Sequence, residues 1–315
     1  MDSIITWLYM PLAEDGMLRM WMPVAAGILI IAVLLVLHFT KKRKERKKLE
    51  NAEEDPVTEQ PETLPEIEIA NLQGLGRREE QQDAFGASLL KDYEKNGLLA
   101  VLCDGMGGMT AGGIIAGQMV NAMIEMFPWK EGEFIPDAIN DLSAQVYRRF
   151  RGQGGTTLVA VRVVDGRLSF WCVGDSDLFL LREGKLYALN QRQEYKNDLL
   201  LRALGGAFPV SDAYQDPQAS ALSEYIGKKQ ISCDYLRKPF ELMAEDTLLL
   251  CSDGVSDTLT LTQIKEAMIL KPQECCGRLE QDILAADIPN QDNYTAIVIR
   301  YHGKITEGQK YEEEN

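Results

Sequence analysis

The sequence predicts an α+β layered domain set behind one membrane-spanning helix. Three observations carry that expectation. Short apolar runs of strand length are joined by Asp-Gly and Glu-Gly turns, and segments of helical period gather between groups of those runs. An uncharged stretch of 19 residues, Trp21 to Phe39, precedes them all.

That stretch reads WMPVAAGILIIAVLLVLHF, which as a helix would be about 28 Å long, close to the thickness of a bilayer's hydrocarbon core. A cleaved signal peptide is one alternative, but no basic segment beyond Arg19 precedes the stretch and no A-x-A site follows it. A buried core helix is the other, and it leaves the next segment unexplained. The next segment is KKRKERKK, Lys41 to Lys48, whose seven basic residues place the following domain in the cytoplasm by the positive-inside rule. The same cluster would serve as a solvated charge run or a contact for anionic lipid. Residues 51–65, NAEEDPVTEQPETLP, are rich in Pro and Glu and read as an extended linker.

The expected organisation is therefore an extracytoplasmic segment at 1–20, a transmembrane helix at 21–39, and a basic cluster with linker at 40–65. A folded domain follows at 66–301 and an acidic tail at 302–315. The protein would sit in the cell membrane as a single-pass molecule with its folded domain in the cytoplasm. Within that domain, strands are expected at 98–103, 247–251 and 294–300. Runs at 156–164, 167–173 and 178–189 should form a meander, with Asp165-Gly166 as a type I′ hairpin and Glu183-Gly184 as a weaker signal of the same kind. Helical period appears at 114–127, 137–150, 261–270 and 274–285.

Composition narrows the chemistry. The 315 residues include 33 Lys+Arg against 48 Asp+Glu, a formal charge of −15, which makes nucleic acid a poor partner. There are two histidines, His38 in the apolar stretch and His302 near the C-terminus. Ser-His-Asp, Cys-His and His-ligated zinc sites all need an imidazole inside the folded domain, so those classes lose support. The six cysteines show no C-x-x-C spacing, and none is followed six residues later by Arg. They read as small buried hydrophobes in a reducing compartment.

The remaining chemistry collects in aspartates at strand ends. The run LLAVLC leads into Asp104, FWCVG into Asp175 and LLLCS into Asp253. Asp83 and Asp292 precede runs. In an antiparallel sheet, opposite ends of neighbouring strands share a rim, so these five carboxylates can converge. Turn chemistry explains any one of them, and it is the accepted reading for Asp165-Gly166. It does not explain five negative charges aimed at one place, which repel unless divalent cations compensate. An all-oxygen set suits Mg²⁺ or Mn²⁺. Arg77 and Arg78 stand just upstream of Asp83, where a guanidinium would bind phosphate or else pair with Glu79 and Glu80 on the surface. The glycines of DGMGGMTAGG (104–113) match neither nucleotide-binding loop pattern.

In order along 66–301 stand Arg78-x-x-Gln81-Gln82-Asp83, Asp104-Gly-Met-Gly-Gly, Gly155-Thr156-Thr157, Gly174-Asp175-Ser176, Ser252-Asp253-Gly254 and Asp292-Asn293-x-Thr295. Through these six motifs the chain resembles the metal-dependent protein phosphatases, the type 2C Ser/Thr family, in its bacterial form. The resemblance implies two antiparallel β-sheets sandwiched between helices. It implies a hydrolase of phosphoserine and phosphothreonine in proteins, acting by direct attack of a hydroxide that bridges two Mn²⁺ or Mg²⁺ ions. Asp104 would bridge both ions and the Gly105 carbonyl would bind the second. Asp253 and Asp292 would hold the first, and Asp83 would act through water. Asp175, with Asp253 and Asp257, would hold a looser third ion, and Arg78 would grip the phosphate. Partners would be phosphorylated Ser/Thr proteins and an opposing Ser/Thr kinase at the membrane.

Several positions depart from the family's pattern. Gln82 stands where many members have Glu, Met106 where others have His, Asp177 where an Arg is common and Gly113 where a Glu is common. Two rival readings remain. Asp175-Ser-Asp177 resembles the start of an aspartate-nucleophile phosphatase, although that motif opens its domain and this one lies deep within it. A phosphoprotein-binding module that keeps the fold without turnover is the second.

Overall fold

Alternation along each central strand decides the layers. The computed structural model of the chain describes residues 65–106, 111–130 and 132–304. The expected membrane span, basic cluster, linker and most of the acidic tail lie outside the described residues. Among the described residues, no helix is long and apolar enough to cross a membrane.

The strands are β1 (Ile67–Gly74), β2 (Ala84–Ala87), β3 (Leu98–Cys103), β4 (Leu158–Val164), β5 (Arg167–Val173), β6 (Asp177–Arg182), β7 (Lys185–Ala188), β8 (Asp234–Tyr235), β9 (Phe240–Glu241), β10 (Asp246–Cys251) and β11 (Tyr294–Tyr301). They form two sheets, ordered β1-β11-β10-β6-β7 and β2-β3-β4-β5-β8, with β9 also paired to β5. All of these pairings are antiparallel.

In β3, Leu98, Ala100 and Leu102 face the opposite sheet, where they meet Leu178, Leu180, Leu248, Leu250, Ile297 and Ile299. Leu99, Val101 and Cys103 face the other way, against Met119, Met123 and Ile139. Both faces of the strand are apolar because both are covered, which is why its sequence reads as an unbroken run. Each such large side chain withdrawn from water stabilises the fold by about 1.5–3 kcal/mol. Helices at Gly112–Met126 and Ile135–Phe150 cover the second sheet. Helices at Leu261–Met268 and Pro272–Ala286 cover the first through Ile264, Met268, Leu279 and Ile283. The order of layers is helix, sheet, sheet, helix, as the resemblance implies. Thr260 starts the Leu261–Met268 helix with a capping box, exchanging hydrogen bonds with Gln263.

The hairpin readings hold. Asp165 and Gly166 have φ of 53° and 69°, and Glu183 and Gly184 have 49° and 69°, the pair of positive values that a type I′ turn requires. The meander does not hold. β4 and β5 pair in one sheet, but β6 pairs β10 and β7 in the other. The chain crosses between sheets at Gly174-Asp175-Ser176, where Gly174 adopts φ 103°, a conformation open to glycine but not to a side-chain-bearing residue. Length and hydrophobic pattern look the same for a neighbouring strand and for one that switches sheets.

Candidate active site

Register brings the strand-end aspartates to one edge. Ala84 pairs Cys103, Leu158 pairs Val173, and Cys251 pairs both Asp177 and Ala296. The residues just beyond these pairs are Asp83, Asp104, Gly174-Asp175, Ser252-Asp253 and Asp292-Asn293, so all five carboxylates stand at the same end of the two sheets.

The loop bearing Asp104 is fixed by its backbone. Its carbonyl accepts from Thr157 N at 2.8 Å and Thr156 Oγ1 at 2.7 Å, while its N–H donates to Thr157 Oγ1 at 2.9 Å. Thr157 Oγ1 in turn lies 2.8 Å from Ser176 Oγ, tying this loop to the crossing between sheets. Gly105 N donates to the Gln82 carbonyl at 3.1 Å, and a Cβ on Gly105 would stand 2.5 Å from that oxygen. Only glycine permits this approach, which couples the Asp104 loop to the segment carrying Asp83, just before β2. Gly113 meets the same segment, with the Gln81 carbonyl 3.1 Å from where its Cβ would be, so a Glu there would be crowded.

Asp83 is buried. Ser252 Oγ donates to its Oδ2 at 2.9 Å, whereas Oδ1 is buried without a hydrogen-bond partner. Asp253 Oδ1 is buried and partnerless as well. Asp292 accepts from Asn293 N at 2.8 Å on one oxygen and from Arg78 Nη2 at 2.6 Å on the other. Asn293 is itself held by Gln82 N and Leu75 O. Arg77 pairs with Asp287 at 2.7 Å, so neither arginine takes Glu79 or Glu80 as its partner.

The carboxyls disturb one another in the way crowded negative charges must. Burial first, and then the charges of Asp83, Asp253, Asp175 and Asp292, hold Asp104 well above the ordinary carboxyl range. Asp83 is raised to about 6, chiefly by burial. Asp175 is raised to about 7 by burial and then by the charge of Asp253, against the pull of Arg192. Asp253 is raised by burial and by Asp257 and Asp292.

Among the described residues, no group of three or more His, Cys, Asp and Glu side chains is arranged to hold a metal ion as it stands. Asp292 is instead engaged by the Arg78 guanidinium. The donor set nonetheless fits hard divalent ions. Every candidate donor is an oxygen, two carboxylate oxygens are buried and unsatisfied, and the group as a whole lacks compensating positive charge beyond Arg78 and Arg192.

The sequence profile of the family described as Protein phosphatase 2C matches residues 75–291, more than half of the chain. This chain belongs to the protein phosphatase 2C family. The Serine/threonine protein phosphatase PstP of Mycobacterium tuberculosis is 29% identical over 212 residues, covering 64% of this chain and 40% of that relative. The chain thus spans 40% of the length of the mycobacterial proteins it matches. The Serine/threonine phosphatase stp of Listeria welshimeri is 26% identical over 240 residues, covering 70% of this chain and 90% of the relative. The fold matches that of the PstP catalytic domain solved in complex with two manganese ions. There the TM-score is 0.58 and the identity 23%, covering 74% of this chain and 97% of that one.

Two features of this 2C-type site escape sequence reasoning. Ser252 is one, because its hydroxyl lies on Asp83 Oδ2 and also accepts from Thr295 N at 3.0 Å. Its place before Asp253 in a motif is the only signal it gives. Arg192 is the other, lying outside every motif. Asp257, assigned by resemblance to a third ion, is 2.7 Å from the Arg192 guanidinium.

Proposed function

We propose that this chain is a metal-dependent protein phosphatase that hydrolyses phosphoserine and phosphothreonine by direct attack of water on phosphorus. The observation that carries the reading is the rim where Asp83, Asp104, Asp175, Asp253 and Asp292 meet, with two buried carboxylate oxygens lacking partners. Asp104 and the Gly105 carbonyl, with Asp253, Asp292 and Asp83, would hold two Mn²⁺ or Mg²⁺ ions. Such ions lower the pKa of water and neutralise charge on phosphoryl oxygens.

The chain's own residues do the rest. Arg78 stands at the rim with its guanidinium on Asp292, from which it would exchange to two phosphoryl oxygens of the substrate and orient the ester for in-line attack. Water oxygen bonds to phosphorus, the bond from phosphorus to the serine or threonine oxygen breaks, and that oxygen takes a proton to leave as the alcohol. No side chain acts as nucleophile. His302 follows the far end of β11, beside Glu245, and the thiols of Cys103, Cys172, Cys251 and Cys275 are buried and held above their ordinary range. Met106 supplies no proton, so water is the donor left to the leaving oxygen.

We also take residues 21–39 as a single span and Lys41 to Lys48 as its cytoplasmic flank, on their length and charge. The domain would then meet phosphoproteins at the inner face of the cell membrane, including those of a membrane Ser/Thr kinase. The test is hydrolysis of p-nitrophenyl phosphate and a phosphothreonine peptide by the full chain in detergent, with Mn²⁺, Mg²⁺ or EDTA. Turnover should need metal and should fall by about 10³-fold or more in Asp253→Ala. Absence of turnover in a wild-type chain that binds Mn²⁺ would favour the phosphoprotein-binding module.

A further inference from the structure

Asp177 opens β6 and is buried, at the position after Gly174-Asp175-Ser176 where an arginine is common in the family. Its charge is met by Arg192. Arg192 Nε lies 3.1 Å from each Asp177 oxygen and Nη2 donates to Oδ2 at 2.6 Å, a two-pronged pairing of fork and carboxylate. The same guanidinium reaches across to the short helix that begins at Asp253. Nη2 donates to Ser256 Oγ at 2.7 Å, and Nη1 donates to Asp257 Oδ1 at 2.7 Å, with Glu194 Oε1 3.8 Å away. Asn197 Nδ2 donates to the Arg192 carbonyl at 2.6 Å and fixes the backbone. All these groups lie within the described residues. One half-buried cation therefore ties the start of β6 to the segment that carries Asp253 and Asp257, and its charge also acts on Asp175 and Asp253.

We propose that the Arg192 guanidinium takes the place of the third ion in this chain, so that Asp257 is an arginine partner and the site holds two divalent ions. The inference rests on the two-metal reading above and departs from what family resemblance assigns to Asp257. A guanidinium keeps its proton throughout the accessible pH range, so its charge is permanent. A divalent ion between Asp175, Asp253 and Asp257 would have to displace it from Asp257 and would then stand beside a like charge. Three guanidinium nitrogens aimed at Asp177, Ser256 and Asp257 supply the same neutralisation without metal. The reversed charge at Asp177 is what anchors them.

The number of bound Mn²⁺ ions decides this, read on the full chain in detergent by equilibrium dialysis with electron paramagnetic resonance of free Mn²⁺. The wild type should bind two ions per chain up to millimolar Mn²⁺, and Asp257→Asn should bind the same two. Arg192→Gln should gain a third, weaker ion, and adding Asp257→Asn to it should remove that ion again. A third ion on the wild-type chain overturns the proposal, as does the loss of any ion in Asp257→Asn. A folded Arg192→Gln chain that still binds two ions overturns it too. If that variant does not fold, wild type and Asp257→Asn decide alone, since Asp257 is largely exposed and its replacement leaves the core intact. Fewer than two ions on the wild type would instead overturn the two-metal reading, and the proposal would fall with it.

Discussion

Replacing Asp175 by Asn should stabilise the metal-free protein, and the gain should depend on pH. Asp175 sits where the chain crosses between sheets, and burial, then the charge of Asp253, raise its carboxyl from an ordinary 3.8 to about 7. Below pH 3.8 the carboxyl is neutral in both folded and unfolded chains, so it has no effect on stability. As pH rises, the unfolded chain ionises first and is favoured, and the folded state loses stability until about pH 7, beyond which the loss is constant. At 1.36 kcal/mol for each tenfold change in proton affinity, the full loss is about 4 kcal/mol. Solvent reaches part of the group, so a gain of about 2 kcal/mol is expected from Asp175→Asn at pH 8. Urea unfolding in EDTA, followed by circular dichroism at pH 4, 6 and 8, measures it. The two chains should unfold together at pH 4 and separate as pH rises. A difference that does not vary with pH, or a wild type more stable at pH 8, would refute the account of crowded, buried charge.

Arg78→Ala removes the guanidinium proposed to grip phosphate. It should lower kcat/KM for p-nitrophenyl phosphate by about 10–100-fold, mainly through KM, and weaken inhibition by inorganic phosphate in parallel. Unchanged phosphate inhibition would leave Arg78 as a partner of Asp292 alone. Gly254→Ala tests the wall behind Asp253, because its Cβ would stand 1.9 Å from the Asn293 carbonyl oxygen. The overlap should destabilise the fold by about 1–3 kcal/mol and lower the thermal midpoint by about 2–4 °C for each of them. Mn²⁺ affinity should fall with it as Asp253 is displaced.

Much of the fold is legible because the central strands are covered on both faces. Runs such as LLAVLC and YTAIVIR can be continuously apolar only where layers press on each side, and they appear as β3 and β11 within a residue of the sequence bounds. The two type I′ turns are equally local, since positive φ at both central residues favours Asp-Gly and Glu-Gly. Sheet membership is not local. β5 and β6 are separated by three residues, as hairpin partners would be, yet they belong to different sheets. The helix at Tyr195–Leu204 also escapes the pattern, because only Leu199 and Ala203 of its ten residues are buried, too narrow a stripe for a helical period to stand out.

The site divides along the same line. Asp83, Asp104, Asp175, Asp253 and Asp292 can be found in the sequence because each adjoins a strand end, and strand ends on antiparallel neighbours must share a rim. Arg192 adjoins no strand end of that kind and belongs to no motif, and only the folded chain puts it on Asp177 and Asp257. The charge at Asp177 nevertheless carried information. A buried carboxylate requires a cation, so the acidic Asp177 at a strand start means that a cation is brought to it from elsewhere in the chain. In this chain Arg192, in the loop after β7, supplies that cation and also reaches Asp257. If the two-ion proposal holds, the charge at Asp177 bears on how many metal ions the site binds.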